Sequence, residues 1–363
     1  REYIGGFNRD FFGGKYKGYT PNVDKLIDKS LVYRFSYCNG RKSIDGMPSI
    51  LCSIPRFGEP FILTPASMNN YTGMPGLLSK WGYQTAFFHG ANRGSMGFLA
   101  FANKIGFQKY YGRQDYAQDK RFGGDADFDG NWGIWDEPFL QYYCAKMSEM
   151  KQPFMTALFT VSSHHPFVVP DKYKDSLKEE QLPIHKCIRY TDMAIGRFFE
   201  TARKQAWFKN TIFILVSDHT NQSNHQQYKT DIGEFSAPFI LYDPSGEIKP
   251  GMRAGIAQQI DIMPTIFGIL GYNKPYFSFG CDLLNSPPQQ TYALNYINGV
   301  YQYTKNGYTM QFDGNRVTGI YSLKDLLMQH NLLGKVPEQA QMEQELKAII
   351  YQYMYRMVNN ELR

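Results

Sequence analysis

The sequence predicts an α/β protein built on a doubly wound, mostly parallel sheet. Three observations carry that expectation. Unbroken apolar runs rich in β-branched and aromatic residues recur, as strands buried on both faces require. Segments of helical periodicity alternate with them. The runs also stop at chemically useful side chains, most clearly where Thr211-Ile212-Phe213-Ile214-Leu215-Val216 gives way to Ser217-Asp218-His219.

In chain order, Thr20-Pro21-Asn22-Val23-Asp24 reads as a helix start, with Thr20 as N-cap and proline at the first helical position. Leu31 to Tyr37 reads as a strand, Pro75 to Trp81 as a helix, and Gln84 to Phe88 as a buried strand ending at His89. Phe154 to Val161 is a second such strand, closing on Ser162-Ser163-His164-His165. Leu182 to Lys204 is helical and leads to the strand before Asp218, and Pro238 to Leu241 adds a short strand. From about Thr291 the pattern alternates, broken by Asn298-Gly299, Asn306-Gly307 and Asp313-Gly314, which are hairpin signals. A small antiparallel meander is therefore expected over Tyr292 to Tyr321, packed on the edge of the main sheet. An amphipathic helix from Pro337 to about Asn360 follows it.

Composition narrows the class. With 43% hydrophobic and 20% charged residues the chain is globular. Its 39 basic and 33 acidic residues are spread without a basic run, which argues against a nucleic-acid partner. Aromatic residues at 16% suit carbohydrate or lipid-headgroup contacts, besides filling a core. Five cysteines without CxxC spacing argue against a thiolate metal site and leave the redox compartment open. No apolar run reaches the roughly 20 residues that span a bilayer. The opening Arg1-Glu2-Tyr3-Ile4-Gly5-Gly6 is loop-like and lacks an initiator methionine, so the chain reads as a piece of a longer one.

The strand ends hold the candidate chemistry. In a parallel sheet the carboxyl ends share one edge, so His89, His164 with His165, and His219 should gather around one crevice, with His225 nearby. An Asp oxygen beside a His nitrogen suits a divalent cation, although a capping Asp next to a surface His would read the same way. In Cys38-Asn39-Gly40-Arg41-Lys42-Ser43, a strand runs through a glycine turn and presents a hydroxyl at a helix start, where free amides favour an anion. Ser43 is placed like a nucleophile, and equally like an N-cap. A nearby divalent cation would lower its hydroxyl pKa.

Gly40-Arg41-Lys42-Ser43-Ile44-Asp45, Thr160-Val161-Ser162-Ser163-His164-His165-Pro166-Phe167 and Ser217-Asp218-His219 resemble the motifs of the lipoteichoic acid synthase-like branch of the alkaline phosphatase/sulfatase superfamily, which includes membrane phosphoglycerol transferases. The resemblance runs in order through nearly the whole chain, taking in Thr20-Pro21-Asn22, Phe88-His89-Gly90 and Asp261-Ile262-Met263-Pro264-Thr265. It implies a catalytic domain of that superfamily over residues 1–290, its first strand missing, and a subdomain of meander and helix over 291–363. It also implies that Ser43 is the nucleophile and a ligand of one manganese-type ion (Mn2+, or Mg2+ or Zn2+), with Asp218 and His219 as the metal-binding pair. His164 matches a histidine that holds the substrate phosphate or glycerol, and His89 a pocket histidine on the facing loop. Arg93 takes the role of the family's phosphate-clamping arginine, though at a different spacing. Trp132 and His225 join as substrate-binding residues and Asp136 as pocket wall, while Trp132 and Trp135 serve equally as anchors of their loop.

Two departures stand out. The family's remaining metal ligand is a Glu at the end of a first apolar strand. No such strand precedes Arg1, and Glu2, in a loop, is the substitute at hand. In Cys52-Ser53-Ile54-Pro55-Arg56 the proline and arginine sit one residue too far from the cysteine for a formylglycine sulfatase, so Cys52 reads as a helix core residue. The implied activity is metal-dependent transfer of a phosphoglycerol or phosphoethanolamine group from a phospholipid to a glycan or lipid acceptor through a covalent Ser43 intermediate. The alternatives are a phosphodiesterase or sulfatase-like hydrolase, or a non-catalytic glycan-binding ectodomain. A lipid donor implies a membrane region ahead of Arg1 and a catalytic domain facing the periplasm or the cell exterior.

Overall fold

The computed structural model describes residues 1–363. After an N-terminal loop the chain forms α1 (Pro21–Ile27), β1 (Leu31–Tyr37), α2 (Ser43–Cys52), α3 (Met74–Lys80), β2 (Gln84–His89), α4 (Phe98–Lys104), β3 (Lys109–Tyr111), α5 (Arg113–Gln118) and α6 (Asp136–Ser148). It continues through β4 (Phe154–Phe159), α7 (Ile184–Ala202), β5 (Phe213–Val216), β6 (Phe239–Tyr242), β7 (Gly251–Gln258) and α8 (Ile262–Leu270). The C-terminal part is β8 (Tyr292–Ile297), β9 (Val300–Lys305), β10 (Tyr308–Phe312), β11 (Val317–Ser322) and α9 (Gln339–Asn359). No helix is long and apolar enough to cross a membrane.

The α/β alternation comes out as expected, but the main sheet is in two parts. One has the order β5-β6-β1-β7, the other β3-β2-β4. β1 runs parallel to β7, and β2 parallel to both β3 and β4. β6 is antiparallel to β1 and to β5, so β5 shares the direction of β1. β4 and β5 each pair on one side only, and every residue of both lines one cavity of about 860 Å³. That explains why these two apolar runs, read from sequence as fully buried, are half buried throughout, whereas β6 is buried along its length. A strand placed between them would pair both bare edges.

β3 and β7 lie outside what the apolar pattern predicts. β3 is only three residues long, and the first four residues of β7 are exposed, so neither gives a continuous apolar run. Thr20 sits at the α1 N-cap but does not cap it. Its hydroxyl bonds Asp24 at 3.2 Å, and the amides of Asn22 and Val23 are satisfied by the buried Asp192 of α7. Proline at N1 still starts the helix there.

β8 to β11 form the expected meander. Asn298-Gly299 and Asn306-Gly307 turn its first two hairpins with positive φ at both positions, as tight primed turns require. Leu294, Tyr303 and Met310 of the meander join α2, α3, α8 and α9 in the largest apolar core. The Thr291 hydroxyl accepts from the Ile256 amide of β7 at 2.9 Å, tying the meander to the main sheet. All five cysteines are unpaired, and Cys52 is buried at the end of α2.

Candidate active site

The carboxyl end of β1 sets Ser43. The chain leaves the strand through Asn39-Gly40, and a side chain at Gly40 would collide with Asp45. Asp45 folds back to accept the amides of Arg41 and Lys42, both at 3.1 Å, and its other oxygen faces Arg56 at 3.6 Å. Burial pushes the Asp45 carboxyl upward against the pull of Arg56 and those two amides. Lys42 is the N-cap position, so Ser43 is the first residue of α2 and not its cap. Ser43 is nearly buried, 9% exposed.

The carboxyl end of β5 brings Asp218 and His219 to the same point. Ser43 Oγ lies 3.3 Å from His219 Nε2, which in turn lies 3.3 Å from Asp218 Oδ2. α2 approaches this closely because Gly46 has no side chain. A Cβ there would stand 3.0 Å from Asp218 Cβ and 3.2 Å from its Cα. His219 Nδ1 bonds the Thr220 carbonyl, which can only accept, so Nδ1 carries a proton and Nε2 is the atom turned to Ser43.

The other histidines come from the second part of the sheet. His89 Nδ1 donates to Phe159 O at 3.2 Å, and His164 Nδ1 to Val161 O at 3.0 Å. All three imidazoles thus hold Nδ1–H and present Nε2. Burial pushes the His89 pKa down to about 4, against the smaller opposing pull of the Phe159 carbonyl, and its Nε2 is buried without a partner. Trp132 packs tilted against His164 with ring centroids 5.1 Å apart and donates Nε1–H to His165 O at 2.6 Å, so this tryptophan anchors its loop beside His164.

Asp136 and Arg93 have other tasks than those expected of them. Asp136 is not a wall residue. It is buried beneath the loop that carries His164, accepting from the amides of Val161 and Ser162 and the hydroxyl of Thr191. Arg93 forms a forked pair with Asp115 on an exposed surface, and no contact joins it to Ser43, Asp218 or His219. His225 lies beside Glu2, with Nε2 3.8 Å from Oε1. Glu2 is buried, and its Oε1 accepts from the amides of Asn224 and His225 at 3.1 and 3.3 Å. It lines the same cavity as His164, Asp218 and His219.

Three residues that the sequence does not single out, Asn39, Gln258 and Gln259, hold the site together. Gln259 donates to the carbonyls of Ser217 and Asp218, both at 2.8 Å, and accepts the Asn39 amide at 2.9 Å, bracing the ends of β5 and β1. Gln258 accepts from Asn39 Nδ2 and from the Leu294 amide. A polar pair closing a strand just ahead of Asp261-Ile262-Met263-Pro264-Thr265 is the available signal.

Nowhere do three His, Cys, Asp or Glu side chains converge as a closed metal site would need. A cation at this place would have to count the Ser43 hydroxyl among its ligands. The donors fit one: a carboxylate oxygen and an imidazole Nε2 face the same point 3.3 Å apart, beside the Ser43 hydroxyl, the atom types a divalent cation takes.

A fold of this topology, with a serine at the end of β1 facing an Asp-His pair at the end of β5, has the form of a sulfatase-type α/β protein. The chain belongs to the sulfatase family, whose model matches residues 2–272. Among curated proteins it is similar to lipoteichoic acid synthase 1 of Bacillus subtilis, 26% identical over 300 residues, covering 76% of this chain and 46% of that one. It is likewise similar to the lipoteichoic acid synthase of Staphylococcus aureus, 25% identical over 66% of this chain and 40% of that one. The chain therefore spans under half the length of these relatives. A solved structure from the alkaline phosphatase superfamily of Vibrio parahaemolyticus superposes with a TM-score of 0.84 at 22% identity, covering 99% of this chain and 85% of the other. The lipoteichoic acid synthase LtaP of Listeria monocytogenes does so with 0.77 at 22% identity, over 96% and 87%.

Proposed function

We propose that this chain is the catalytic part of a metal-dependent transferase that moves a phosphoglycerol or phosphoethanolamine group from a phospholipid to a glycan or lipid acceptor through a covalent Ser43 intermediate. The observation that supports it best is the Ser43 Oγ to His219 Nε2 contact of 3.3 Å at the start of α2, beside Asp218. The likeness to lipoteichoic acid synthases favours transfer over hydrolysis.

Ser43, Asp218 and His219 would hold one ion, Mn2+ or else Mg2+ or Zn2+. Such an ion lowers hydroxyl pKa and offsets phosphoryl charge. In the first half-reaction Ser43 Oγ bonds to phosphorus as the bond from phosphorus to the diacylglycerol oxygen breaks. The hydroxyl proton ends on that leaving oxygen. In the second, an acceptor hydroxyl displaces Ser43, and its proton returns to Oγ. His164, with Nε2 open and its ring held by Trp132 and Val161, relays the proton on the donor side. His89, buried against Phe98 and Phe159, stays neutral at physiological pH. The parent protein would be membrane-attached, with this part facing the periplasm or cell exterior.

The test is product analysis after incubation with phosphatidylglycerol, a glycolipid acceptor and manganese. Diacylglycerol together with a phosphoglycerol-bearing acceptor is expected. Diacylglycerol with free glycerol phosphate and no modified acceptor would assign hydrolysis instead.

A further inference from the structure

The N-terminal loop makes a projecting tip that the site itself does not use. Its base is closed by the bridge between Ile4 and Gly18 and by the Tyr19 amide donating to Tyr3 O at 2.7 Å. At its end Phe12 is 65% exposed, at φ 51° and ψ 41°, a left-handed conformation that is rare for a bulky residue. Gly13 and Gly14 continue at positive φ, and a Cβ added to Gly13 would meet nothing within 4 Å, so the backbone stands clear of the body here. The tip also carries Lys15 and Lys17, both exposed, and one acid, Asp10. The nearest ion pair, Arg9 with Asp28, lies outside it and leaves the lysines uncompensated.

The tip adjoins the site. The rings of Phe11, Phe12 and Tyr16 each lie within 5.6 Å of the His225 ring, and His225 is the neighbour of Glu2. Tyr16 donates its hydroxyl to Glu2 O at 2.9 Å. The next aromatic ring, Tyr228, gives its hydroxyl to Asn8 at 2.6 Å. The hydroxyls are thus spent inward, and what faces outward is an apolar ring flanked by free ammonium groups. A sugar platform needs several hydrogen-bond acceptors beside its stacking ring, and among its side chains this tip offers one carboxylate, Asp10. An aromatic ring with adjoining lysines matches the interfacial zone of a bilayer, where rings sit at headgroup level and ammonium groups meet anionic lipid.

We propose that the Asp10–Lys17 tip seats on an anionic membrane surface and holds the mouth of the site against it. This rests on the reading of a phospholipid donor, since such a donor has to be reached in the bilayer.

The experiment places a reporter at the tip, Phe12→Trp in the full chain, with the spectrum of the unsubstituted protein subtracted. On vesicles of phosphatidylcholine and phosphatidylglycerol the added tryptophan should shift to the blue and be quenched by brominated acyl chains. Lys15→Ala with Lys17→Ala should weaken binding to those vesicles by roughly 30-fold, from about 1 kcal/mol for each lysine near an anionic surface. An unchanged emission on vesicles would overturn the proposal, as would a shift seen only with soluble oligosaccharide, which would make the tip a glycan platform. Water-soluble short-chain phosphatidylglycerol separates the membrane surface from the lipid donor. If it modifies Ser43 while vesicles leave the tip reporter unmoved, the surface fails and the donor stands. Vesicle binding at the tip without turnover of the short-chain lipid means that the surface stands and the donor fails.

Discussion

The two parts of the main sheet supply different halves of the site. β1 and β5, from the four-stranded part, deliver Ser43, Asp218 and His219. β2 and β4, from the three-stranded part, deliver His89 and His164. The first half is cross-braced: Gln259 locks one strand end to the other, and Gly46 lets α2 rest on Asp218. The second half is held by bonds from each ring to a nearby carbonyl and by Asp136 under one loop. The difference lies in how each half is fixed. Groups that meet within 3.3 Å are fixed by a buried polar network, while His89 and His164 are each held through one ring nitrogen.

That contrast can be broken in four places. The largest effect is expected at His164. His164→Gln removes the imidazole proposed to relay the proton and should cut the transfer rate by about 10²-fold or more, with little loss of Ser43 reactivity toward a donor whose leaving group needs no proton. Steady-state rates with lipid and with an activated ester donor check it; equal losses on both would place His164 in the nucleophile half.

His89 gives a pH signature. Its folded pKa of about 4 lies below the ordinary 6.5, so the unfolded chain binds a proton more readily between those values. Stability should fall as pH drops from about 6.5 toward 4, by on the order of 3 kcal/mol, and His89→Gln should flatten that part of the curve. Thermal melts across the range read this directly. A slope unchanged in the variant would show that His89 is not the group responsible.

Gln259→Ala leaves the Asn39 amide and two strand-end carbonyls without partners. A loss of about 2 kcal/mol in denaturant unfolding is expected, together with slower turnover at unchanged substrate KM. Loss of stability with full turnover would mean that the brace does not set the nucleophile. The smallest effect belongs to Arg93, whose exposed pair with Asp115 is worth about 0.5 kcal/mol. Arg93→Ala should leave transfer within about twofold of the unsubstituted chain, and a rise in donor KM well beyond that would restore the clamp role that the family resemblance implies.

Much of this is legible in the sequence because strand ends announce themselves. Leu31–Tyr37 and Phe154–Phe159 are apolar runs that stop where the chain turns, and the residues just past them are those that the fold gathers. The braces are harder to see. Gln258, Gln259 and Asn39 are ordinary polar residues whose value lies in distant partners, as in the 220-residue separation of Asn39 and Gln259. The sheet's division is also hidden, because an apolar run does not say whether both of its edges find a partner. Arg93 misleads because spacing alone cannot tell an arginine that faces a pocket from one spent on Asp115.

The most direct test of the central claim is the mass of the tryptic peptide carrying Ser43 after brief incubation with manganese and mixed phospholipids. The account predicts an adduct of glycerol phosphate or phosphoethanolamine on Ser43, absent from Ser43→Ala. An unmodified Ser43 in a sample that has bound metal and released diacylglycerol would contradict it.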